Sequence, residues 1–248
     1  MINQKDFDFT GQRILITGAA GGIGLAIAKI FSCHGAELIL ADIKTDELKK
    51  QVKTLGDNIS LHHYDQSDAS SIKKLATTVR SVDIFCNNAG MIKAGLFLNQ
   101  SPETIQEIIS VNLIGPILLA RYIGEKMVKR GSGVIVNTVS QLAFHGSATR
   151  AAYAAAKAGM VQFTKSVAVE WSAHGVRVVA LAPGRTLTPM TAPFLSTDEE
   201  RSKGLKQIPA GRFGSSQEMA KLTLFLASDA ASYIVGETLI ADGGYILS

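Results

Sequence analysis

Short runs of consecutive apolar residues alternate along this chain with longer segments whose apolar positions recur every three or four residues. The runs predict strands over 13–17, 37–41, 59–63, 83–86, 134–138, 176–181 and 238–241. The amphipathic segments predict helices over 22–34, 46–55, 69–80, 102–129, from about 151 to 173, 197–206 and 217–227. The start of the 102–129 helix is signed: Ser101 stands at the N-cap, Pro102 at N1 and Glu103 in the first turn. Strand and helix in strict alternation predict right-handed βαβ units and an α/β fold with a parallel sheet covered on both faces. One stretch, from about 184 to 210, breaks the pattern with Gly184, Pro189, Pro193 and Pro209. It reads as an insertion on a single domain spanning 1–248, either a mobile lid over a cleft or a packed surface excursion.

Composition narrows the class. With 248 residues, the chain is long enough for one large core. The 46% apolar and 19% charged fractions are those of a globular domain. The net charge of +4 comes without any Lys/Arg run longer than two, which argues against a nucleic-acid partner. The first residues carry no apolar leader, and the apolar stretch 111–120 is too short to span a bilayer. Cys33 and Cys86, the only cysteines, lie in apolar contexts and are expected to be buried free thiols. Together these predict a cytoplasmic protein with no membrane partner. No His/Cys/Asp/Glu cluster has metal-ligand spacing, so no catalytic metal is expected; His62 and His63 read as a strand-end pair.

Two chemistries sit on this frame. The first strand runs into Thr17-Gly18-Ala19-Ala20-Gly21-Gly22-Ile23-Gly24 and then a helix. A glycine turn there lets backbone approach a pyrophosphate, and the helix N-terminus supplies oriented N–H groups. Asp42 ends the second strand, 18 residues after Gly24, where a carboxylate accepts both ribose hydroxyls of NAD and repels the 2′-phosphate of NADP. No Arg or Lys lies in the turn, although Lys44 is near. NAD is therefore the expected cofactor, with NADP disfavoured. The second chemistry is Tyr153 with Lys157 one helical turn on, and Ser140 thirteen residues before the tyrosine. An ammonium beside a phenol lowers the phenol's pKa, which suits proton exchange with an alcohol or ketone. Ser140 is placed to hold the same substrate oxygen.

These residues make the chain resemble the short-chain dehydrogenase/reductase family. The resemblance runs through Thr17-Gly18-x-x-x-Gly22-Ile23-Gly24, Asn87-Asn88-Ala89-Gly90, Ser140, Tyr153, Lys157, Pro183-Gly184 with Thr188, and the segments 226–229, 236–238 and 242–244. It implies a doubly wound, Rossmann-type sheet of about seven parallel strands and a homotetramer or homodimer. It implies hydride exchange between a nicotinamide and a carbon-bound oxygen. By resemblance Lys157 also holds the nicotinamide ribose, and Asn112 binds a water through its helix backbone to relay protons to Lys157. Asp65 contacts adenine, Asn88, Ala89 and Gly90 lie along the cofactor, and Pro183, Gly184 and Thr188 form the nicotinamide loop.

The substrate end is less marked. Gln141, Leu142, Phe144 and His145, with Met91, Ile92 and Lys93 opposite, form the expected pocket wall for a small polar alcohol or ketone. Arg185 follows Pro183-Gly184 and could bind an acidic group, point to solvent, or pair with a lid carboxylate; Arg150 is similarly open. The C-terminal segments resemble both sugar or polyol dehydrogenases and 3-oxoacyl-carrier-protein reductases, the latter usually NADP-dependent. Asp42 favours the former, acting on a polyol, sugar derivative or hydroxy acid. A non-catalytic dinucleotide sensor is the remaining alternative, opposed by the presence of Ser140, Tyr153 and Lys157.

Overall fold

Seven parallel strands form one sheet in the computed structural model, which describes residues 4–56 and 58–247. Residues 1–3, with which the leader reading begins, lie outside them. The strands are β1 (Arg13–Thr17), β2 (Glu37–Asp42), β3 (Ile59–His63), β4 (Ile84–Asn87), β5 (Gly133–Thr138) and β6 (Val176–Pro183). A two-residue pair, β7 (Thr186–Leu187) and β8 (Gly214–Ser215), precedes β9 (Thr238–Ala241). The large sheet has the order β3-β2-β1-β4-β5-β6-β9. The order reverses between β1 and β4, and in open α/β sheets the crevice beyond the carboxyl ends of such a pair is where ligands bind.

Alternation within the strands divides the core. Ile14, Ile16, Leu38 and Leu40 pack on one face with Ile27 and Phe31 of α1 (Gly22–Cys33) and Met219 and Leu224 of α8 (Ser216–Ala227). Leu15, Ile39, Phe85, Ile135 and Val178 pack on the other. There they meet Leu75 of α3 (Ala69–Thr78) and Leu119, Ile123 and Met127 of α5 (Gly115–Arg130). Side chains that are consecutive in a strand must face opposite ways, so an unbroken apolar run implies two buried faces. Each fully buried Leu, Ile or Phe contributes about 1.5–3 kcal/mol.

The structure departs from expectation at four places. The long helix is split: α4 (Pro102–Ile109), with Ser101 accepting the Thr104 N–H, passes through a π turn at Ser110–Ile114 before α5. The combined run Pro102–Arg130 is long and apolar enough to cross a membrane, but here much of its apolar face is buried against the sheet and α3. The second helix is shorter than expected, α2 (Thr45–Gln51). Cys86 is buried as expected, whereas Cys33 is exposed at the last position of α1, where the helix face turns outward; both thiols are free. The 184–210 stretch has its own structure. It leaves and rejoins the domain through the β7–β8 pair and contains a 3₁₀ turn at Ala192–Phe194 and α7 (Asp198–Leu205), started by a Thr197/Glu200 capping box. Leu195 and Ile208 anchor it by burial.

Candidate active site

The glycine turn is built by close approach. Gly18 has φ +66°, and a Cβ there would lie 2.8 Å from Ala89 Cα; one at Gly24 would lie 2.1 Å from Gly18 O. Only glycine lets α1 close onto the turn in this way. The turn is tied to β4 by Thr17, whose Oγ1 accepts the Asn88 and Ala89 N–H groups at 3.1 Å. The Asn88 amide in return donates to Thr17 O at 3.0 Å. Asn88 therefore braces the turn as well as lining the cleft. Gly21, the N-cap of α1, caps no N–H with a side chain, so the first amides of α1 keep donor capacity toward the cleft.

Asp42 lines the same cleft and is 8% exposed. Its Oδ2 accepts the Ala20 N–H at 2.9 Å and its Oδ1 the Lys44 N–H at 2.8 Å. These bonds fix the carboxylate and leave further lone pairs for two hydroxyls. Lys44 and Glu47 also line the cleft and pair at 3.6 Å, so Lys44 is partly neutralised by a second carboxylate.

The cleft has a volume of about 470 Å³. At its far end are Ser140, at the end of β5, and Tyr153 and Lys157, on α6 (Ala151–Trp171). The Tyr153 phenol is hydrogen-bonded to the Ser140 hydroxyl. The Ser140 Oγ also accepts the Leu142 N–H at 3.1 Å. Lys157 Nζ donates to Thr138 O at 2.9 Å and lies 5.8 Å from the centre of the Tyr153 ring. Proximity of the lysine was expected to lower the tyrosine's pKa. In the structure burial wins, pushing the phenol up to about 12 against the opposing effects of the Ser140 bond and the Arg150 charge. Burial likewise pushes the Lys157 ammonium down to about 8. At neutral pH the tyrosine holds its proton.

Asn112 is buried in the π turn, and its side chain is fully engaged. Its Nδ2 donates to Met91 O and Ile108 O, both at 2.9 Å, while its Oδ1 accepts the Met91 N–H at 3.2 Å. Whatever Asn112 offers a water is therefore left to its backbone. The π turn has a cause that the sequence does not reveal. The Gly115 N–H bonds Ser110 O, one residue further back than in an α-helix. The Val111 carbonyl so released is taken by the buried amide of Gln66, which also donates to Ala89 O at 2.8 Å. A Cβ on Gly115 would lie 2.0 Å from Gln66 O. Gln66 thus joins the cleft wall to the turn that carries Asn112. Gln66→Met should keep the volume and leave both carbonyls unpaired. A cost on the order of 2 kcal/mol is expected, seen as a melting temperature lower by roughly 4–8 °C. An unchanged melting temperature would show that the bridge is dispensable.

The remaining expected residues divide. Gly22, Ile23, Ala89, Gly90, Pro183, Gly184 and Thr188 all line the cleft. The Thr188 hydroxyl is shared with that of Thr191 at 3.1 Å, a lining residue the sequence did not single out. Gln141 lines the cleft, and its buried Oε1 has no partner in the protein. Asp65 lies off the lining, its Oδ1 accepting the Ser67 N–H and hydroxyl at 2.8 and 2.6 Å. His145 is exposed and stacks edge-on against Tyr245 with ring centres 5.3 Å apart, outside the cleft. Arg185 lines the cleft between sheet and insertion. The glycine turn with open α1 amides, the fixed carboxylate and the unpartnered Gln141 oxygen fit a dinucleotide and a hydroxylated second ligand.

Comparison with known proteins places these residues in context. A family model described as enoyl-(acyl carrier protein) reductase matches residues 18–246. A 3-oxoacyl-[acyl-carrier-protein] reductase of Chlamydia pneumoniae is 36% identical over 246 residues, covering 96% of this chain and 98% of that protein. A solved putative NAD(P)-dependent gluconate 5-dehydrogenase from Beutenbergia cavernae, with bound NADP, superposes with a TM-score of 0.94 at 36% identity. It covers 98% of this chain and 100% of its own. A putative 2-deoxy-D-gluconate 3-dehydrogenase from Agrobacterium tumefaciens, also with bound NADP, has a TM-score of 0.92 at 34% identity, with 98% and 99% covered.

Proposed function

Because this chain belongs to the short-chain dehydrogenase/reductase family, we propose that it is an NAD-preferring oxidoreductase of a small secondary alcohol, such as a polyol, sugar derivative or hydroxy acid, and of the corresponding ketone. The observation that carries this reading is the Ser140–Tyr153 hydrogen bond beside Lys157, in one cleft with the glycine turn and Asp42. Bound dinucleotide supplies or accepts the hydride. Ser140 orients the substrate oxygen and stabilises charge on it. Tyr153 gives that oxygen a proton in reduction and removes it in oxidation. Lys157 anchors the ribose and, held against Thr138 O, supplies positive charge near the phenol. Gln141 Oε1 accepts a ligand N–H or O–H, which supports a polyhydroxylated substrate. Sugar-acid dehydrogenases among the solved relatives support the same class.

The cofactor preference rests on Asp42 and Glu47. Relatives with bound NADP make NADP use the live alternative. The 36% identical carrier-protein reductase keeps NADPH-dependent thioester reduction as the second reading. An assay of dinucleotide reduction with NAD and NADP against polyols, sugar acids and hydroxy acids, with acetoacetyl thioester reduction in parallel, separates the two. Preference for NADPH and the thioester would replace the first reading by the second.

The pH dependence follows from the two perturbed groups. Oxidation needs the phenolate, which burial disfavours, so its rate should rise steadily with pH from 6 to about 9 without a plateau near neutrality. Reduction needs the phenol, which persists, so its rate should stay level to about pH 8 and then fall as Lys157 loses its proton. An oxidation rate already level at pH 7 would contradict a raised phenol pKa.

A further inference from the structure

Three features next to Tyr153 cost stability and have no structural return. Thr149 has φ +67°, the one positive φ of a non-glycine residue among the described residues. For a β-branched side chain that is a strained conformation. Arg150 follows it at the N-cap of the 21-residue α6, whose first turn holds no acidic residue. A cation there opposes the helix dipole. Arg150 and Arg185 also lie close enough for each charge to disfavour the other. Among the described residues neither makes an ion pair with a carboxylate. Local rules broken together without compensation mark functional positions.

Both guanidiniums are held in place. Arg150 Nη1 bonds Thr149 Oγ1 at 2.7 Å and Thr149 O at 3.3 Å, and its guanidinium lies 4.4 Å over the Phe194 ring of the insertion. Arg185 Nη2 bonds Gln207 Oε1 at 2.6 Å, and its guanidinium sits 5.3 Å over the Tyr245 ring, the ring that His145 braces. Each is thus propped by an aromatic ring and by one neutral acceptor, which orients it without cancelling its charge. Arg185 lines the same cleft as Ser140, Tyr153 and Gln141, and Arg150 stands three residues before Tyr153.

We propose that Arg150 and Arg185 together bind an oxyanion, carboxylate or phosphate, carried by the substrate itself, so that this enzyme selects an acidic hydroxylated molecule over its neutral counterpart. The two prongs come from opposite sides of the cleft, α6 and the strand that leads into the insertion. Planar guanidiniums pair with such groups through two parallel hydrogen bonds, a geometry Lys does not reproduce. An anion bound there also compensates the charge at the N-terminus of α6. The proposal narrows the substrate class within the oxidoreductase reading and rests on it.

The test uses the full-length protein with saturating NAD. Aldonates and sugar phosphates are each compared with the alditol that carries CH₂OH in place of the anionic group, in steady-state turnover and in calorimetric binding. Parent protein, Arg150→Gln and Arg185→Gln are measured together, with Arg185→Lys as the conservative variant. The expected result is at least tenfold tighter binding of one acidic series than of its alditols, and a KM for the acid raised at least tenfold in each Gln variant. kcat and the alditol parameters should move less than threefold, and Lys should restore only part of the loss. The acidic series that binds names the oxyanion. Equal binding of acids and alditols, acid binding unchanged in both Gln variants, or preference for a neutral thioester overturns the proposal. If acids bind and the variants lose them while no alcohol is oxidised with either dinucleotide, the anion site stands and the oxidoreductase reading fails.

Discussion

Tyr153→Phe is expected to lower turnover by roughly 10²–10⁴-fold in both directions. The substitution removes one oxygen and keeps the ring in its buried site, so packing is nearly unchanged. What disappears is the group that exchanges a proton with the substrate oxygen and the partner of the Ser140 hydroxyl. Dinucleotide affinity should stay within about threefold, because the glycine turn and Asp42 stand at the other end of the cleft. The informative quantity is therefore the split between kcat and the dinucleotide dissociation constant, read by steady-state kinetics and fluorescence titration. Turnover within threefold of the parent would sink the tyrosine mechanism and restore the view of the protein as a dinucleotide sensor.

Asp42→Asn is expected to move cofactor choice. Two unit charges about 4 Å apart at an effective dielectric near 20 repel by about 4 kcal/mol. A tenfold change in affinity needs only about 1.4 kcal/mol. Even a third of that repulsion, exerted by Asp42 on a 2′-phosphate, sets a preference on the order of tenfold for NAD. Removing the charge should raise the NADP/NAD ratio of kcat/KM by at least that much, mostly through KM for NADP. The Glu47 carboxylate remains and should keep the reversal incomplete; Asp42→Asn with Glu47→Gln should go further. The asparagine has one acceptor oxygen where the carboxylate has two for the Ala20 and Lys44 N–H groups, so some loss of stability accompanies the change. A ratio unmoved in both variants would show that the carboxylates do not set the preference.

Much of the fold was legible along the chain because each element is specified locally. Two-faced apolar runs such as Arg13–Thr17 have no stable place except inside a covered sheet, and Ser101-Pro102-Glu103 starts a helix by its own chemistry. The glycine turn, Asp42 and the Tyr153/Lys157 pair were legible for the same reason: fixed spacings within one turn or one βαβ unit. Cys33 was misjudged because an apolar neighbourhood in sequence does not say which way the last residue of a helix faces.

The sequence by itself thus determined the seven-stranded α/β architecture, the dinucleotide turn and the Ser140, Tyr153, Lys157 set, since these depend on periodicity and short spacing. Only the tertiary structure decided three other matters. It decided the protonation of Tyr153, because desolvation by residues distant in sequence outweighs a lysine one turn away. It decided the π turn at Asn112, because its released carbonyl is satisfied by Gln66, 45 residues earlier. And it decided the facing of Arg150 and Arg185, which meet only when the insertion folds back over α6, since a charge has no partner or lack of one until the chain around it is closed.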